Sequence, residues 1–469
     1  MQPIISNKEE KDKRVSLDTL NRVGLCFCDI DDKWKLVIDP DNVFWSLIRK
    51  DKDFNSVVEK KILPLYGEVK GKLDKQMQEF RFGTNLTSVY INPTDRCNAD
   101  CLYCYVPSAT RKTGSQMSEE QLEYVLRKST EYFEKRIQDS KTKPVVIFHA
   151  SEPLLVKDIV FKSISDFSDS FHFGIQTNAI ALEKQDVEFL KEHRVSVGIS
   201  LDSPDQRTND FLRKTMSNHG TFSKVMQVID WFDGYTGLNV LSTVTTHNVE
   251  QLPELVDFLA ERNIKSVLLN PVRCTRRDIL PLRPDKNTLL RYFIQAVEKA
   301  IESSKSSKKI IIANFSNIVL GIIAPLGRRL MCDITPCGGG RCFVTVTAKG
   351  DFLPCGEFVS LDEFVGGNIF NSTIQDAIDS NAFNKVRSRV VERIKECDTC
   401  LFRNICGAPC PAEVYSLAKN LYEISPYCEF YKELIKYAFK LIAEDRAKYV
   451  LREEALKDKN LEYEYSLIK

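Results

Sequence analysis

The chain has 469 residues, enough for two or three domains, and its 43% hydrophobic and 28% charged residues are ordinary for a globular protein with a substantial core. Its net charge of +1 gives no electrostatic basis for binding nucleic acid or an acidic membrane, and no apolar run is long enough to cross a bilayer. The polar N-terminal sequence MQPIISNKEEKDKR lacks the apolar core of a secretory signal, so we predict a cytoplasmic protein with neither nucleic acid nor membrane as a partner.

Residues 1–85 have the pattern of a small α+β module. The short runs GLCFCDI, WKLVID and VFWSLI are typical of strands, because β-branched and aromatic residues are frequent in them. The following stretch, VVEKKILPLYGEVKGKLDKQMQEF, has the apolar spacing of a helix. We therefore expect three strands and a helix in this part of the chain.

Residues 86–310 predict a parallel α/β domain. Six strand candidates alternate with amphipathic helical stretches: SVYIN (88–92), PVVIFH (144–149), HFGIQT (172–177), SVGISL (196–201), NVLSTVTT (239–246) and SVLLNPV (266–272). In folds of this class, functional residues lie at the carboxyl ends of the strands. The first strand runs directly into a group of three cysteines, which is where that rule places functional residues.

The fifteen cysteines are unevenly distributed. Three lie within residues 97–104 and eight lie between Cys337 and Cys428, after a lysine- and serine-rich stretch at 303–309 that we expect to separate the two regions. In a cytosolic protein, such clusters more often bind metal or carry out redox chemistry than form disulfides. We place a cysteine-rich domain at 311–430 and a helical tail at 431–469. The remaining cysteines are expected to be small buried hydrophobic residues: Cys26, Cys28, Cys274 and Cys332.

The first cysteine group, Cys97-x3-Cys101-x2-Cys104, offers three ligands. A structural zinc site needs four, and neither a histidine nor a fourth cysteine lies nearby in the sequence. A [4Fe–4S] cluster held by three cysteines leaves one iron open for another ligand. Three unrelated buried cysteines are the alternative that this motif alone leaves open.

With Tyr103 directly before the third cysteine, the motif resembles the signature of radical S-adenosylmethionine (SAM) enzymes. The resemblance implies a partial (β/α)6 barrel similar to a TIM barrel, with a [4Fe–4S] cluster bound by Cys97, Cys101 and Cys104. In that superfamily the open iron binds SAM, which is cleaved to a 5′-deoxyadenosyl radical that abstracts a hydrogen atom from the substrate. The aromatic residue at the position of Tyr103 lies near the SAM adenine in the family.

Later positions carry the same resemblance. The run Ala-Ser-Glu-Pro at 150–153 stands where the family has Gly-Gly-Glu-Pro, which meets the SAM amino group, and both glycines are replaced here. Segments at the ends of the third and fourth strands are similar to those that contact the ribose and methionine of SAM, and Arg213 resembles the arginine that pairs with the SAM carboxylate. The SAM-binding residues implied in this way are Tyr103, Ala150, Ser151, Glu152, Pro153, Gln176, Asn178, Ser200 and Arg213.

The eight later cysteines resemble the SPASM extension of radical SAM enzymes, which holds two auxiliary [4Fe–4S] clusters. By analogy one cluster takes Cys337, Cys342, Cys355 and Cys410, and the other takes Cys397, Cys400, Cys406 and Cys428. The spacing alone does not decide this pairing, and CxxC pairs also suit zinc. The resemblance as a whole implies three [4Fe–4S] clusters.

The SPASM resemblance narrows the function to modification of a peptide or protein. Anaerobic sulfatase maturases carry an acidic base directly after the cysteine equivalent to Cys355, but this chain has Gly356 there. The sequence shows no cobalamin-binding domain, which argues against cobalamin-dependent methylation. The chain then most resembles oxidoreductase-type maturases of ribosomally made peptides (RiPPs), and among them the CbpB-type subgroup. Such enzymes form thioether or other crosslinks or invert α-carbons. Asp202, Glu357 and Arg273 are candidates for a general base, and the sequence assigns none of them.

The resemblance also implies partners and leaves alternatives. The expected partners are a precursor peptide and a reductant such as flavodoxin or ferredoxin. Residues 1–85 either bind the leader part of that peptide, as an added strand, or are a packing extension that covers the open barrel. The alternative functions are oxidation or dehydrogenation of a protein side chain, as in sulfatase maturases, and a non-catalytic iron–sulfur electron carrier or peptide-binding scaffold.

Overall fold

The computed structural model describes residues 20, 23–136, 143–453 and 455. The N-terminal sequence considered above and the end of the predicted tail lie outside these residues. The strands are β1 (Cys26–Asp29), β2 (Trp34–Ile38), β3 (Trp45–Arg49), β4 (Ser88–Ile91), β5 (Val145–Phe148), β6 (His172–Thr177), β7 (Ser196–Ser200), β8 (Leu238–Val244), β9 (Ser266–Pro271), β10 (Ile311–Ile312), β11 (Phe343–Val346) and β12 (Phe352–Leu353).

The α-helices lie between and after these strands. They are α1 (Phe54–Val57), α2 (Leu63–Phe82), α3 (Ser108–Thr113), α4 (Glu119–Glu134), α5 (Lys157–Asp166), α6 (Lys184–Glu192), α7 (Gln206–Leu212), α8 (Phe222–Phe232), α9 (Leu252–Glu261), α10 (Lys286–Lys305), α11 (Ala313–Ile323), α12 (Ile374–Asp379), α13 (Asn381–Arg387), α14 (Arg403–Cys406), α15 (Pro411–Ala418) and α16 (Cys428–Ala443). A π-helical turn, Val58–Ile62, joins α1 to α2.

The N-terminal part is a three-stranded antiparallel sheet, β1-β2-β3, followed by α1 and α2, as the sequence predicts. Alternate side chains of β2 and β3 face a small core of their own that includes Val37, Ile48 and Tyr66. Trp45 faces the other way: its indole Nε1 donates a hydrogen bond to the carbonyl of Ile322 at 2.8 Å, and its ring packs edge-on against Phe439. The N-terminal sheet is therefore packed against the body of the protein.

The main sheet has the strand order β10-β9-β8-β7-β6-β5-β4-β11-β12. Strands β4 to β9 are parallel neighbours in sequence order, and they are the six predicted strands of the partial (β/α)6 barrel. The helices between them carry apolar stripes that cover the sheet, and α4 begins with a capping box between Ser118 and Gln121.

The sheet extends beyond the six predicted strands at both ends. β11 pairs in parallel with β4, and β12 pairs antiparallel with β11, so the cysteine-rich part contributes two strands to the same sheet. At the other end, β10 pairs with β9. The lysine- and serine-rich stretch is divided between the end of α10 and the turn before β10, so the sheet continues past it. The boundaries near residues 85, 310 and 430 stay predictions.

Of the helices in the described ranges, none combines the length and apolar character needed to span a membrane.

Candidate active site

A cavity of about 450 Å³ lies between the parallel sheet and the cysteine-rich part of the chain. Its size is in the range of small-molecule sites. The sheet contributes residues from the ends of five strands, namely His149, Gln176, Ser200, Thr243 and Asn270. The first cysteine group lines one part of the wall, and Cys337, Cys355 and Cys410 line another. The cavity therefore joins two of the three cysteine groups.

The first cysteine group lies in the loop that follows β4. The thiol of Cys97 accepts hydrogen bonds from the Ala99 backbone N–H (3.3 Å) and from Asn178 Nδ2 (3.6 Å). Burial raises the pKa of Cys97 to about 12 and that of Cys101 to about 11, so a metal must displace protons to bind these sulfurs. Three neighbouring thiols that interact electrostatically, one of them accepting N–H hydrogen bonds, are the donor set of a cubane iron–sulfur cluster, which is larger than a single ion.

The other eight cysteines form two spatial groups. Burial raises the pKa of Cys355, and the nearby Cys410 and Cys337 raise it further, while Cys342 lies close to Cys337. Burial raises the pKa of Cys397, Cys406 and Cys428, and the nearby Cys400 raises it further in each case; all four residues lie outside the cavity wall. This grouping is the one expected by analogy, and either group fits a four-cysteine cluster. In the described part of the chain, no three His, Cys, Asp or Glu side chains are placed to hold a single metal ion.

Glu152, in the Ala-Ser-Glu-Pro run after β5, is buried and fixed by the neighbouring strand. Its Oε1 accepts hydrogen bonds from Thr177 Oγ1 (2.7 Å) and from the backbone N–H of Leu154 (3.1 Å). Its Oε2 accepts the backbone N–H of Asn178 at 2.8 Å. Burial raises the pKa of Glu152, and these three donors oppose that shift. Glu152 thus holds the β5 and β6 ends together at the cavity wall.

The remaining residues expected to bind SAM follow the same wall, with one exception. Ala150, Ser151, Gln176 and Ser200 line the cavity, as does Asn178, whose Nδ2 also donates to Asn98 Oδ1 at 2.8 Å. Pro153 is buried outside the cavity lining, where it begins a short 3-10 turn. The structure therefore brings together all the expected SAM-binding residues except Pro153.

A buried polar network connects Tyr103, Asp202 and Arg213. The Tyr103 hydroxyl donates a hydrogen bond to Asp202 Oδ2 and accepts one from Arg213 Nη1. The Arg213 guanidinium lies 3.7 Å from the Asp202 carboxylate, which also accepts the backbone N–H of Thr243 at 2.8 Å. Arg213 lines the cavity, and its Nε is buried without a hydrogen-bond partner among the described residues. An anionic ligand in the cavity would pair with the guanidinium.

Comparisons with known proteins identify the family. The model of the radical SAM superfamily matches residues 91–260, and the model of SPASM, an iron–sulfur cluster-binding domain, matches residues 337–401. The chain belongs to the radical SAM superfamily and carries a SPASM domain. Radical SAM and SPASM domains imply SAM and iron–sulfur clusters as cofactors.

Relatives and solved structures agree with this assignment. An uncharacterized protein of Archaeoglobus fulgidus is 43% identical over 90% of this chain and 96% of its own length. The cysteine-type anaerobic sulfatase-maturating enzyme of Clostridium perfringens is 24% identical over 75% of this chain and 96% of its own length.

Two solved structures share the fold. Native anSMEcpe with bound AdoMet and a peptide has a TM-score of 0.65 and 21% identity over 77% of this chain and 99% of its own. Streptococcus suis SuiB bound to the precursor peptide SuiA has a TM-score of 0.56 and 15% identity over 87% of this chain and 98% of its own. The CbpB-type subgroup stays a prediction.

The cavity between the sheet and the cysteine-rich part, called the radical SAM cavity from here on, is also lined by His149, which was not among the site residues predicted from the sequence. A side-chain Cβ at Gly356 would lie 3.3 Å from His149 Cε1, so the histidine ring packs against the bare backbone of this glycine. His149 Nδ1 is buried without a hydrogen-bond partner among the described residues, and burial lowers the pKa of His149 to about 4. A neutral imidazole therefore lies beside Gly356, the residue directly after Cys355. The sequence signal was the place of His149 at the end of β5.

The candidate bases have different surroundings. The Asp202 carboxylate accepts a hydrogen bond from Tyr103 and forms an ion pair with Arg213. Arg273 lies 3.4 Å from the fully buried carboxylate of Glu413. Glu357 lines the cavity with Oε2 lacking a described partner, and burial raises its pKa to about 7. Glu357 is thus the candidate that lines the cavity with a carboxylate oxygen lacking a hydrogen-bond partner among the described residues.

The four cysteines outside the clusters do not share one environment. Cys274 is buried, as expected, while Cys26 and Cys28 are half-buried on β1. The expectation for Cys332 is wrong: its side chain is exposed and lines the radical SAM cavity, because residues 328–336 are a loop rather than part of a packed element.

Proposed function

We propose that this radical SAM protein is a maturase that modifies a ribosomally made precursor peptide, forming a thioether or another crosslink. The observation that carries the proposal is the shared cavity, with the first cysteine group on one wall and Cys337, Cys355 and Cys410 on another. A peptide side chain in this cavity would lie between the site of radical formation and an auxiliary redox centre.

The proposed cofactors are SAM and three [4Fe–4S] clusters. Cys97, Cys101 and Cys104 hold the catalytic cluster, and the two groups of four cysteines hold the auxiliary clusters. When bound, SAM and the catalytic cluster supply a 5′-deoxyadenosyl radical that abstracts a hydrogen atom from the peptide. Iron analysis of anaerobically reconstituted protein tests the cluster count.

The chain's own residues bind and orient SAM. Arg213, which lines the cavity, pairs with the SAM carboxylate, and Tyr103 and Asp202 hold the guanidinium in place. Glu152 has both carboxylate oxygens anchored, so an acceptor for the SAM amino group is held at a fixed position. The walls around these residues exclude bulk water from the reacting atoms.

Peptide substrates are supported by the solved relatives. Structures similar in fold contain a peptide in anSMEcpe and a precursor peptide in SuiB. This chain has Gly356 at the position where sulfatase maturation is expected to need an acidic residue. That difference favours crosslinking over formylglycine formation. An external reductant such as flavodoxin or ferredoxin supplies the electron for SAM cleavage.

Residues 1–85 are proposed to bind the leader part of the precursor. Among the described residues, β1 pairs with β2 alone and so presents a sheet edge on which a peptide strand can add. β3 does not offer such an edge to solvent, because Trp45 anchors it to the body. These contacts equally suit the packing extension, so a leader-peptide binding assay with the full chain separates the two roles.

The experiment that tests the function is peptide turnover under anaerobic conditions. Reconstituted protein is incubated with SAM, a reductant and candidate substrates, namely short cysteine-rich peptides sought among the reading frames that flank the gene. We expect 5′-deoxyadenosine together with a peptide that has lost hydrogen and resists fragmentation between the linked residues in tandem mass spectrometry. A Cys97→Ala/Cys101→Ala/Cys104→Ala variant must form neither product, and persistent SAM cleavage by it would refute the assignment.

The second candidate is oxidation of a protein side chain. It is favoured by the similarity to cysteine-type and serine-type sulfatase-maturating enzymes over three quarters or more of the chain. The same assay distinguishes it, because formylglycine carries an aldehyde that reacts with a hydrazide probe and a crosslink does not. A non-catalytic electron carrier would cleave no SAM in either assay.

A further inference from the structure

A second pocket, of about 390 Å³, lies on the surface away from the active-site cavity. It is formed where three parts of the chain meet: the end of α2, the end of α4, and the cysteine-rich part. We call it the arginine pocket. Its lining residues are Phe82, Thr84, Tyr132, Arg136, Pro336, Arg341, Gln375, Ile378, Asp379 and Arg387.

The arginine pocket carries an excess of positive charge. Three arginines and one acidic residue, Asp379, line it, and among the described residues none of the three guanidiniums has an ion-pair partner. Arg136 donates to the amide oxygen of Gln375 at 2.6 Å, and Arg387 donates to the carbonyl of Gly340 at 3.1 Å. These neutral acceptors leave the guanidinium charge available to an acidic ligand.

Arg341 links this pocket to an auxiliary cysteine group. Its side chain is 2% exposed and donates to the carbonyls of Phe80 and Gly83 at the end of α2, while its Nε has no described partner. Arg341 directly precedes Cys342 in the chain, and its guanidinium also donates at 3.4 Å to the carbonyl of Pro336, the residue before Cys337. The floor of the pocket is therefore built from residues directly beside two cysteines of the group that is proposed to bind one auxiliary cluster.

The rim of the pocket favours a protein over a free anion. Phe82 is 45% exposed, an unusual position for so large an apolar side chain, and the guanidinium of Arg136 stacks over Tyr132 at 4.1 Å from the ring centre. An exposed aromatic residue beside arginines is a combination enriched at protein interfaces, and here Phe82 supplies it while Tyr132 is buried beneath Arg136. An inorganic anion would use the arginines but leave Phe82 in water.

We propose that the arginine pocket is the docking site of a small acidic electron-transfer protein that reduces this enzyme. Acidic side chains of the carrier pair with Arg136 and Arg387, and its apolar surface covers Phe82. One electron passes in each encounter: the carrier is oxidised by one electron and the enzyme's iron–sulfur content is reduced by one, with no bond made or broken. The inference rests on the proposed function for the presence of clusters, but the docking itself does not require the peptide.

The test uses reconstituted enzyme with flavodoxin as the probe. The variants are Arg136→Glu/Arg387→Glu and, because Arg387 also holds a backbone carbonyl, Arg136→Glu alone. The control is Lys184→Glu/Arg207→Glu, which makes the same charge change at exposed positions on α6 and α7 outside the pocket. Iron content and circular dichroism establish that each variant is folded and loaded.

Calorimetry should show flavodoxin binding that weakens with salt and is about tenfold weaker in the double variant but not in the control. The ratio of SAM cleavage supported by reduced flavodoxin to that supported by dithionite should fall by a similar factor, with Arg136→Glu intermediate. Equal flavodoxin affinity in wild type and double variant would overturn the proposal. A second result would also overturn it: inorganic phosphate binds wild type but not the double variant, which places the phosphate in the pocket, and yet the bound phosphate does not displace flavodoxin. If dithionite supports no SAM cleavage in wild type, the proposed function fails, whereas the binding result still decides the docking site.

Discussion

The hydroxyl of Tyr103 donates a hydrogen bond to the carboxylate of Asp202, which lies 99 residues later in the chain. The same hydroxyl accepts a hydrogen bond from Arg213, so one tyrosine connects the cysteine loop after β4 to two residues beyond β7. Asp202 is 1% exposed and cannot exchange this partner for water. The aromatic residue of the cysteine motif therefore has a positioning role besides any contact with adenine.

Asp202→Asn should weaken SAM binding about tenfold, because Arg213 loses the charge that holds its guanidinium in place. Tyr103→Phe should weaken it less, since the 3.7 Å ion pair between Arg213 and Asp202 remains. Equilibrium dialysis of reconstituted protein with labelled SAM measures both affinities. Asp166→Asn, which alters an exposed ion pair with Lys162, is the matched control. Unchanged affinity in Asp202→Asn would show that Arg213 is positioned by other contacts.

Removing a cysteine from one group should remove one cluster and leave the others. Wild-type protein should contain about twelve iron atoms per chain, and Cys101→Ala and Cys400→Ala should each contain about eight. Cys274→Ala should keep the full content, because Cys274 lies apart from the cysteine groups, and Cys332→Ala should keep it because Cys332 is a fifth cysteine beside the complete set of four that includes Cys337 and Cys410. Iron and sulfide analysis after anaerobic reconstitution measures the count. A loss of iron in Cys332→Ala would instead make this cavity-facing thiol a ligand.

His149 should make the folded protein sensitive to mild acid. Burial among Tyr90, Tyr105, Gly356 and Glu357 lowers its pKa from 6.5 to about 4, so the unfolded chain binds a proton at a higher pH than the folded chain does. Stability is therefore lost as the pH falls below 6.5, by roughly 1.4 kcal/mol per pH unit from this group. His149→Phe keeps a ring against Tyr90 but cannot titrate. Glu357, whose pKa is raised to about 7, contributes with the opposite sign over this pH range but is present in both proteins. Between pH 7.5 and pH 5.5, denaturant unfolding should show wild type losing stability relative to His149→Phe, and the same change in both proteins would mean that His149 is hydrated.

The contact between Gly356 and His149 can be tested by a double-mutant cycle. A methyl group at position 356 would lie 3.3 Å from the histidine ring, so Gly356→Ala should cost about 1–2 kcal/mol of stability. In a His149→Ala background the ring is absent and the same substitution should cost little. Gly71→Ala is the control, because its Cβ would point into open space on a helix and should be neutral or stabilising. Additive effects of the two substitutions would show that the ring moves away at no cost.

The sequence predicted local elements well because their patterns are local. All six strands of the barrel and the cysteine loop after β4 follow from apolar runs and their spacing. The pairing of β11 with β4 was not predictable from the sequence. The paired residues Phe343 and Ser88 lie far apart in the chain, and the apolar pattern of a strand does not indicate which other strand it pairs with. The contact between His149 and Gly356 was missed because these residues are also far apart in the chain. In addition, a glycine has no side chain that could indicate a packing partner. The long-range contacts thus account for most of what the structure added.

The last prediction concerns the attachment of the N-terminal part. Arg81, at the end of α2, is 5% exposed and makes a two-point ion pair with Glu392 at 2.7 and 2.9 Å, while its Nε donates to the carbonyl of Thr335. Arg81→Ala should destabilise the protein by about 3 kcal/mol, because buried acceptors lose their donor. Glu392→Gln should cost about 1 kcal/mol, since Glu392 is partly exposed and the Arg81 bond to Thr335 persists. Lys75→Ala, which removes an exposed pair with Glu79, is the control and should be neutral. Limited proteolysis should cut near residue 83 faster in Arg81→Ala than in the control, and equal cleavage rates would show that the other contacts, including those of Trp45 and Arg341, are enough to hold the N-terminal part in place.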